Sequence, residues 1–114
     1  MIAHVLLFRP RAGLSADSRR QLADALAAAV RDIPSLRRAR VGRRITIGRE
    51  YEQLTGTDLP FAAILEFDDE AALKAYLDHP AHQRLAMRFF DSIEETQIYD
   101  IDLREGDVGV QDLL

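Results

Sequence analysis

The sequence predicts an α+β fold: one four-stranded antiparallel sheet with its helices packed on one face. Two observations lead to this prediction. Short apolar runs rich in branched residues alternate with segments of helical spacing, and proline or glycine stands at the ends of these segments. The chain has 114 residues, and a domain of this size buries roughly two-thirds of its unfolded surface. We therefore expect one domain with one core.

The first three elements are a strand, a helix and a second strand. Residues 2–9 form a short apolar run, and Ser15 is a favoured residue for a helix N-cap. Pro34 stops the helix that follows, and residues 38–48 alternate loosely enough for a strand, in which Gly42 indicates a bulge. The helix is predicted from an apolar stripe that recurs at helical spacing, formed by Leu22, Ala25, Leu26, Ala29, Val30 and Ile33.

The second half repeats the pattern with its helix interrupted. Residues 61–67 form a strand, and Asp68 or Asp69 then caps a helix. Pro80 breaks that helix and opens another, and residues 96–103 form the last strand. The resulting order, β-α-β-β-α-β, is that of the ferredoxin-like fold, so the domain is predicted to cover residues 1–103.

Both faces of the predicted sheet are apolar. Alternate residues of a strand point to opposite faces, so the first strand presents Leu6 and Phe8 to one face. It presents Val5 and Leu7 to the other. The helices cover only one face, and an uncovered apolar face marks an interface. We therefore predict a homodimer that closes sheet to sheet into an α+β barrel. The alternative is that residues 104–114 fold over the sheet, but they are short and polar and are predicted to be a loose tail.

Composition excludes several classes of function. The net charge is −4, which disfavours nucleic acid and anionic membranes as partners. The chain contains no cysteine, so disulfides, thiolate zinc sites and cysteine nucleophiles are excluded. The N-terminal apolar stretch is short and ends at Arg9 and Pro10 without the pattern of a leader peptide, so we interpret it as a strand and expect the cytoplasm as the compartment.

A basic run lies in and before the second strand, formed by Arg37, Arg38, Arg40, Arg43 and Arg44. The simplest interpretation is an exposed strand whose charges discourage edge pairing. Contact with RNA and capture of an acidic substrate are the functional alternatives, and nucleic acid is not expected because no aromatic residues lie among these arginines. Arg43 differs from the others because the bulge predicted beside it would aim it inward.

Three histidines and one tyrosine carry the candidate chemistry. Pro80 is favoured at the first position of a helix, which makes His79 the cap. His82 then falls in the first turn, where the positive end of the helix dipole disfavours a protonated imidazole, and a neutral histidine suits a general base. Tyr76 lies on the buried side of its helix, and its hydroxyl needs a partner if buried. His4 lies mid-strand on the face that meets the helices.

A structural role for these side chains is the alternative, because a histidine on an apolar face is usually a satisfied core group. Metal binding is not expected. His79 and His82 are three residues apart, but Pro80 disrupts a shared helical face, and no carboxylate is paired with them.

These residues resemble the stress-responsive A/B barrel (Dabb) family of the dimeric α+β barrel superfamily. The HPxH stretch is the most specific part of the resemblance. In order across residues 1–103, the matching segments are residues 4–9 (HVLLFR), 33–34 (IP), 41–42 (VG), 76–82 (YLDHPAH) and 98–100 (IYD).

The resemblance implies a ferredoxin-like monomer and a homodimer closed through the sheets. Its olivetolic acid cyclase-like members carry out an aldol condensation without a cofactor. In them, a histidine that matches His82 acts as the base, a tyrosine that matches Tyr76 assists, and a histidine that matches His4 lies in the same pocket. Where those cyclases have aromatic pocket residues, this chain has smaller ones, among them Leu22, Leu26 and Ile93.

The sequence therefore predicts a Dabb homodimer that binds a small organic molecule in an apolar pocket. The predicted chemistry is cofactor-free proton transfer, aldol or lyase chemistry with His82, Tyr76 and His4 as catalytic residues. No cofactor, metal, nucleic acid or membrane is expected. The alternative is a non-catalytic stress-responsive or interaction protein with a structural His/Tyr network. The residues expected to line the pocket are Leu6, Phe8, Leu22, Leu26, Ala63, Leu65, His79, Ile93 and Ile98.

Overall fold

The computed structural model describes residues 1–114. Its elements are β1 (Ile2–Pro10), α1 (Ala16–Asp32), β2 (Arg38–Arg43), a short 3-10 helix (Glu50–Leu54), β3 (Phe61–Phe67), α2 (Glu70–Asp78), α3 (Pro80–Ser92), β4 (Ile93–Asp102) and α4 (Gly106–Leu113). The strands form one sheet in the order β2-β3-β1-β4, and every neighbouring pair is antiparallel. The predicted ferredoxin-like α+β fold is confirmed.

The helix boundaries follow from their capping residues. The Ser15 hydroxyl accepts a hydrogen bond from the Ser18 amide at 3.0 Å and begins α1. Asp69, rather than Asp68, caps α2 by accepting from the Ala72 amide at 2.8 Å. Each cap satisfies one of the amides that a helix N-terminus leaves without a partner, which is worth about 1 kcal/mol.

The packed core lies between the helices and the β3 side of the sheet. It consists of Ala29, Ile33, Leu65, Phe67, Leu73, Tyr76 and Ala81. The Phe67 and Tyr76 rings pack with their centroids 5.1 Å apart. This core fills only one end of the layer between the helices and the sheet.

The second strand is shorter than predicted. The residues around Ile45 and Ile47 lie outside β2, and Ile45 is 78% exposed. The ladder runs without interruption through Gly42, which faces Ala62, so the predicted bulge at Gly42 is wrong. The irregularity in the sheet lies instead between Arg9 and Pro10, where β1 pairs with β4. Pro10 has no amide hydrogen to donate to the ladder.

Residues 104–114, predicted to be a loose tail, contain the helix α4. Val110, Leu113 and Leu114 lie at the i, i+3, i+4 spacing of a helical face, and this signal is present in the sequence. Gly109 is buried against the Arg104 side chain, where an added Cβ would clash with the Arg104 Cβ. The apolar side chains of α4 remain exposed.

The second face of the sheet is uncovered. Tyr99 and Ile101 are 55% and 42% exposed on it, and Val5 faces Ile64 on one side and Tyr99 on the other. The tail does not cover this apolar face. No helix is long and apolar enough to cross a membrane.

Candidate functional site

A cavity of about 1190 Å³ lies between the sheet, α1 and α3. Of its 28 lining residues, 20 are hydrophobic, and a wall of this kind suits an organic ligand. All but one of the residues predicted for the site line this cavity: His4, Leu6, Phe8, Leu22, Leu26, Ala63, Leu65, Tyr76, His82, Ile93 and Ile98.

His79 is the exception, since it does not line the cavity. Its Nδ1 accepts a hydrogen bond from the Ala81 amide at 3.0 Å, so the ring caps α3 as the position before Pro80 requires. A ring turned back onto its own helix end does not face the cavity.

The break between α2 and α3 positions His82. In an uninterrupted helix the Ala81 amide would donate to the carbonyl of Leu77, four residues earlier. Here the Ala81 amide is bound to His79, and the Leu77 carbonyl is free to accept from His82 Nδ1 at 3.0 Å. Because a carbonyl only accepts, His82 Nδ1 carries the proton and Nε2 keeps a free lone pair.

The electrostatics keep His82 neutral. Burial lowers the pKa of its imidazole, and the nearby His4 lowers it further, while the hydrogen bond to the Leu77 carbonyl raises it; the net direction is down. The sequence predicts a neutral His82 from the helix dipole, whereas the structure gives burial as the main cause.

Tyr76 packs between the core and the cavity. It is 2% exposed, and its ring centroid lies 5.1 Å from that of Phe67 and 4.6 Å from that of His82. The only buried side-chain polar atom without a partner is Ser35 Oγ. Since the Tyr76 hydroxyl makes no hydrogen bond within the chain, it is open to the cavity. Burial raises the pKa of Tyr76 to about 12, so the phenol stays protonated and can donate.

His4 is oriented by a residue that the sequence analysis did not include in the site. Asp100 faces His4 across the β1–β4 ladder, and its carboxylate accepts from His4 Nδ1 at 2.5 Å. This bond keeps a proton on Nδ1 and fixes the orientation of the ring in the cavity wall. The His4 ring lies 6.1 Å from the Tyr76 ring, centroid to centroid. The contact between Asp100 and His4 follows from the register of β1 against β4, which the sequence alone does not give.

Two imidazoles and one phenol therefore converge in an apolar cavity. His82 offers a free nitrogen lone pair and Tyr76 offers a hydrogen-bond donor. These are the groups that general acid–base catalysis requires. No group of three His, Cys, Asp or Glu side chains is arranged to hold a metal ion.

Known structures share this fold. A Dabb family protein with a ferredoxin-like fold from Mesorhizobium loti is 25% identical, with a TM-score of 0.71, over 91% of this chain and 97% of the other. A dimeric ferredoxin-like protein of unknown function from Thermobifida fusca is 24% identical over 90% of each chain, with a TM-score of 0.68. The hydroxynitrile lyase of Passiflora edulis is 16% identical over 91% of this chain and 94% of the other, with a TM-score of 0.73.

No curated protein sequence matches the chain. The family model of the stress responsive A/B barrel domain matches residues 2–103, which include the whole sheet and every cavity residue. The chain belongs to the stress-responsive A/B barrel (Dabb) domain family.

Proposed function

We propose that this protein is a homodimeric, cofactor-free enzyme that binds a small organic molecule in the cavity and transfers a proton with His82 as the base. The observation that carries the proposal is the orientation of His82. Its Nδ1–H is bound to the Leu77 carbonyl at 3.0 Å, its ring lies 4.6 Å from the Tyr76 ring, centroid to centroid, and its Nε2 lone pair is left for a ligand.

The reaction class that fits these groups is cleavage or formation of a carbon–carbon bond next to a hydroxyl or carbonyl carbon. In the cleavage direction His82 Nε2 takes the hydroxyl proton of the substrate. The carbonyl forms, the adjacent carbon–carbon bond breaks, and its electron pair leaves with the departing carbanion or cyanide. The protonated His82 then returns the proton to that leaving group, which balances the step. A positioned base of this kind contributes about 10²–10⁴-fold to a rate.

Tyr76 and His4 act as partners of the substrate oxygen in this proposal. The pKa of about 12 keeps Tyr76 protonated, so its hydroxyl donates a hydrogen bond to the oxygen as its charge changes. His4 is held by Asp100 and provides a further contact to the ligand. The similarity to a hydroxynitrile lyase supports lyase chemistry on this fold.

The homodimer rests on the open face of the sheet. Tyr99 and Ile101 leave apolar surface in water, and a second sheet packed against it would remove that surface. The neighbour from Thermobifida fusca, which is described as dimeric, supports a dimer. Light scattering at micromolar concentration tests it: we expect the mass of a dimer, and Val5→Asp should give monomer or aggregate.

One observation favours the non-catalytic alternative. Tyr76 belongs to the packed core, so the His/Tyr cluster could serve stability alone. The two hypotheses differ at the Tyr76 hydroxyl, which has no partner within the chain. Tyr76→Phe should leave the unfolding free energy unchanged within about 0.5 kcal/mol. A much larger loss would support the structural network.

Two probes test the base. Mandelonitrile, an aromatic cyanohydrin, reports cleavage as benzaldehyde, and deuterium exchange into phenylacetone reports proton removal from carbon. We expect the wild-type protein to accelerate at least one reaction and His82→Ala to lower that rate by about 100-fold or more. His79→Asn, which keeps a helix cap outside the cavity, is the matched control. Equal rates for His82→Ala and wild type would contradict the proposal, and no turnover of either probe would favour the alternative.

A further inference from the structure

The charged residues of the cavity wall all have one sign. Arg11, Arg19 and Arg43 line it, and no aspartate or glutamate does. The chain as a whole has the opposite bias, with 19 acidic residues against 15 basic ones. The cavity is therefore a positive region on an acidic protein.

These three guanidinium groups have no carboxylate partner. Seven other arginines form ion pairs, namely Arg9, Arg20, Arg31, Arg37, Arg40, Arg44 and Arg104. The contrast is clearest between neighbours: Arg44 meets Asp58 at 2.7 Å, whereas Arg43 meets no acid. The Arg11 side chain donates one hydrogen bond, from Nε to the Asp91 carbonyl at 3.0 Å. The remaining donors of the three side chains are available to a ligand.

Arg11 and Arg43 lie at the end of the cavity away from His4, and Arg19 lies in the first turn of α1, the helix that follows this end of β1. Arg43 faces Phe61 in the sheet, and Phe61 faces Phe8. Phe8 is four residues from His4 on the same face of β1, which is about 13 Å at the rise of a strand. Arg11 follows the end of β1 and so lies farther still. Leu6 and Phe8 form an apolar wall between the two ends.

We infer that the ligand of this cavity is an amphiphilic carboxylic acid. Its carboxylate binds at the Arg11/Arg19/Arg43 end, and its apolar body lies along Leu6 and Phe8. The planar fork of a guanidinium matches a carboxylate through paired hydrogen bonds. The inference rests on the proposed function for one point only, that the far end of the ligand reaches His82.

A set of matched probes tests the head group separately from catalysis. Octanoate, octan-1-ol and octylammonium share one chain and carry negative, neutral and positive heads. In calorimetric titrations of the wild-type protein, the affinity should decrease from octanoate to octan-1-ol to octylammonium. Octanoate should bind about tenfold or more tightly than octan-1-ol, as one charge-assisted contact provides, and only its affinity should fall with added salt.

Substitution of the arginines locates the charge. Arg43→Gln and Arg19→Gln should each weaken octanoate severalfold and leave octan-1-ol unchanged. Arg88→Gln makes the same charge change on an exposed residue of α3 outside the cavity and should alter neither. His82→Ala should keep the preference for octanoate, so a failed catalytic proposal and a failed ligand assignment remain distinguishable.

Three results would overturn the inference. The first is equal affinity for octanoate and octan-1-ol in the wild-type protein, including no detectable binding of either at millimolar concentration. The second is an equal loss for Arg88→Gln. The third is a change of mass in light scattering of Arg43→Gln without a change in octanoate affinity, because these arginines would then meet acidic residues of a second copy.

Discussion

The two ends of the layer between the helices and the sheet are filled differently, and β3 shows the change within one strand. Phe67 is 0% exposed in the packed core, and Leu65, which is 3% exposed, belongs to the core and also borders the cavity. Two and four residues earlier on the same face, Ala63 and Phe61 line an open cavity. The cavity is lined by small residues, namely Ala63 in β3 and Ala23 and Gly42 on neighbouring elements. These residues leave open space, whereas larger side chains fill the layer at the other end.

The candidate chemistry lies where these two ends meet. Tyr76 is at once a member of the core and a cavity residue, so its ring is held rigidly while its hydroxyl faces the ligand space. His82 and His4 flank it on the cavity side. Under the proposed function, the packed end holds the Tyr76 ring in place, and the open end gives room for a ligand.

The largest effect should come from truncating the packed end. Phe67→Ala should lower the unfolding free energy by about 3–5 kcal/mol, because it removes a fully buried ring and leaves a cavity. Phe8→Ala is the matched change at the open end, where the ring is half-buried and already borders empty space, and it should cost about 1–2 kcal/mol. Urea unfolding measures both. Equal losses would mean that the open end is as tightly packed in solution.

Enlarging a side chain should have opposite consequences at the two ends. Ala29→Leu places extra atoms at a residue that is 0% exposed and should cost about 1–3 kcal/mol through overpacking. Ala63→Leu points into the cavity, so it should leave the thermal midpoint unchanged or raise it while abolishing octanoate binding. Destabilisation of both proteins to the same extent would contradict the difference between the ends.

Removing the His79 cap at the break between α2 and α3 should lower the unfolding free energy by less than the core substitutions do. His79→Ala removes the α3 cap and should cost about 1 kcal/mol. It also frees the Ala81 amide to compete with His82 for the Leu77 carbonyl, so turnover of any accepted probe should fall. His79→Asn supplies another capping acceptor and should restore both properties. Loss of stability with unchanged turnover would show that the cap does not orient His82.

The smallest effect is a pH dependence of stability. The pKa of His82 is lower in the folded protein than its usual value of 6.5, so the unfolded chain binds more protons between the two values. The unfolding free energy therefore rises with pH across that window and decreases by the contribution of this one group as the pH falls below 6.5. His82→Asn should flatten the profile there in urea titrations between about pH 5 and 7.5. An unchanged slope would indicate that burial does not depress this histidine.

Local patterns in the sequence were sufficient for most of the fold. Ser15, Asp69 and Pro80 mark their helix ends because capping and proline chemistry act over a few residues. The helix α4 in the tail was not predicted. Val110 and Leu113 lie at a helical spacing, but polar neighbours and glycines obscure the signal of so short a helix.

The site was harder to predict where it depends on pairing between distant segments. His4 and Tyr76 could be assigned to the helix–sheet layer from periodicity alone. Asp100 could not, because its contact with His4 requires the register of β1 against β4, 96 residues apart. The inward position of Arg43 was expected from a bulge at Gly42 that does not exist. It follows instead from the regular alternation of β2 beside Phe61.

The proposed chemistry depends on the orientation of His82, and nitrogen-15 NMR of its imidazole reports that orientation. Long-range proton–nitrogen correlations distinguish the two neutral tautomers, and a pH titration of the same signals gives the pKa. We predict the tautomer with the proton on Nδ1, donating to the Leu77 carbonyl, and a pKa below 6.5. A proton on Nε2, or a pKa above 6.5, would contradict the assignment of His82 as the base in this cavity.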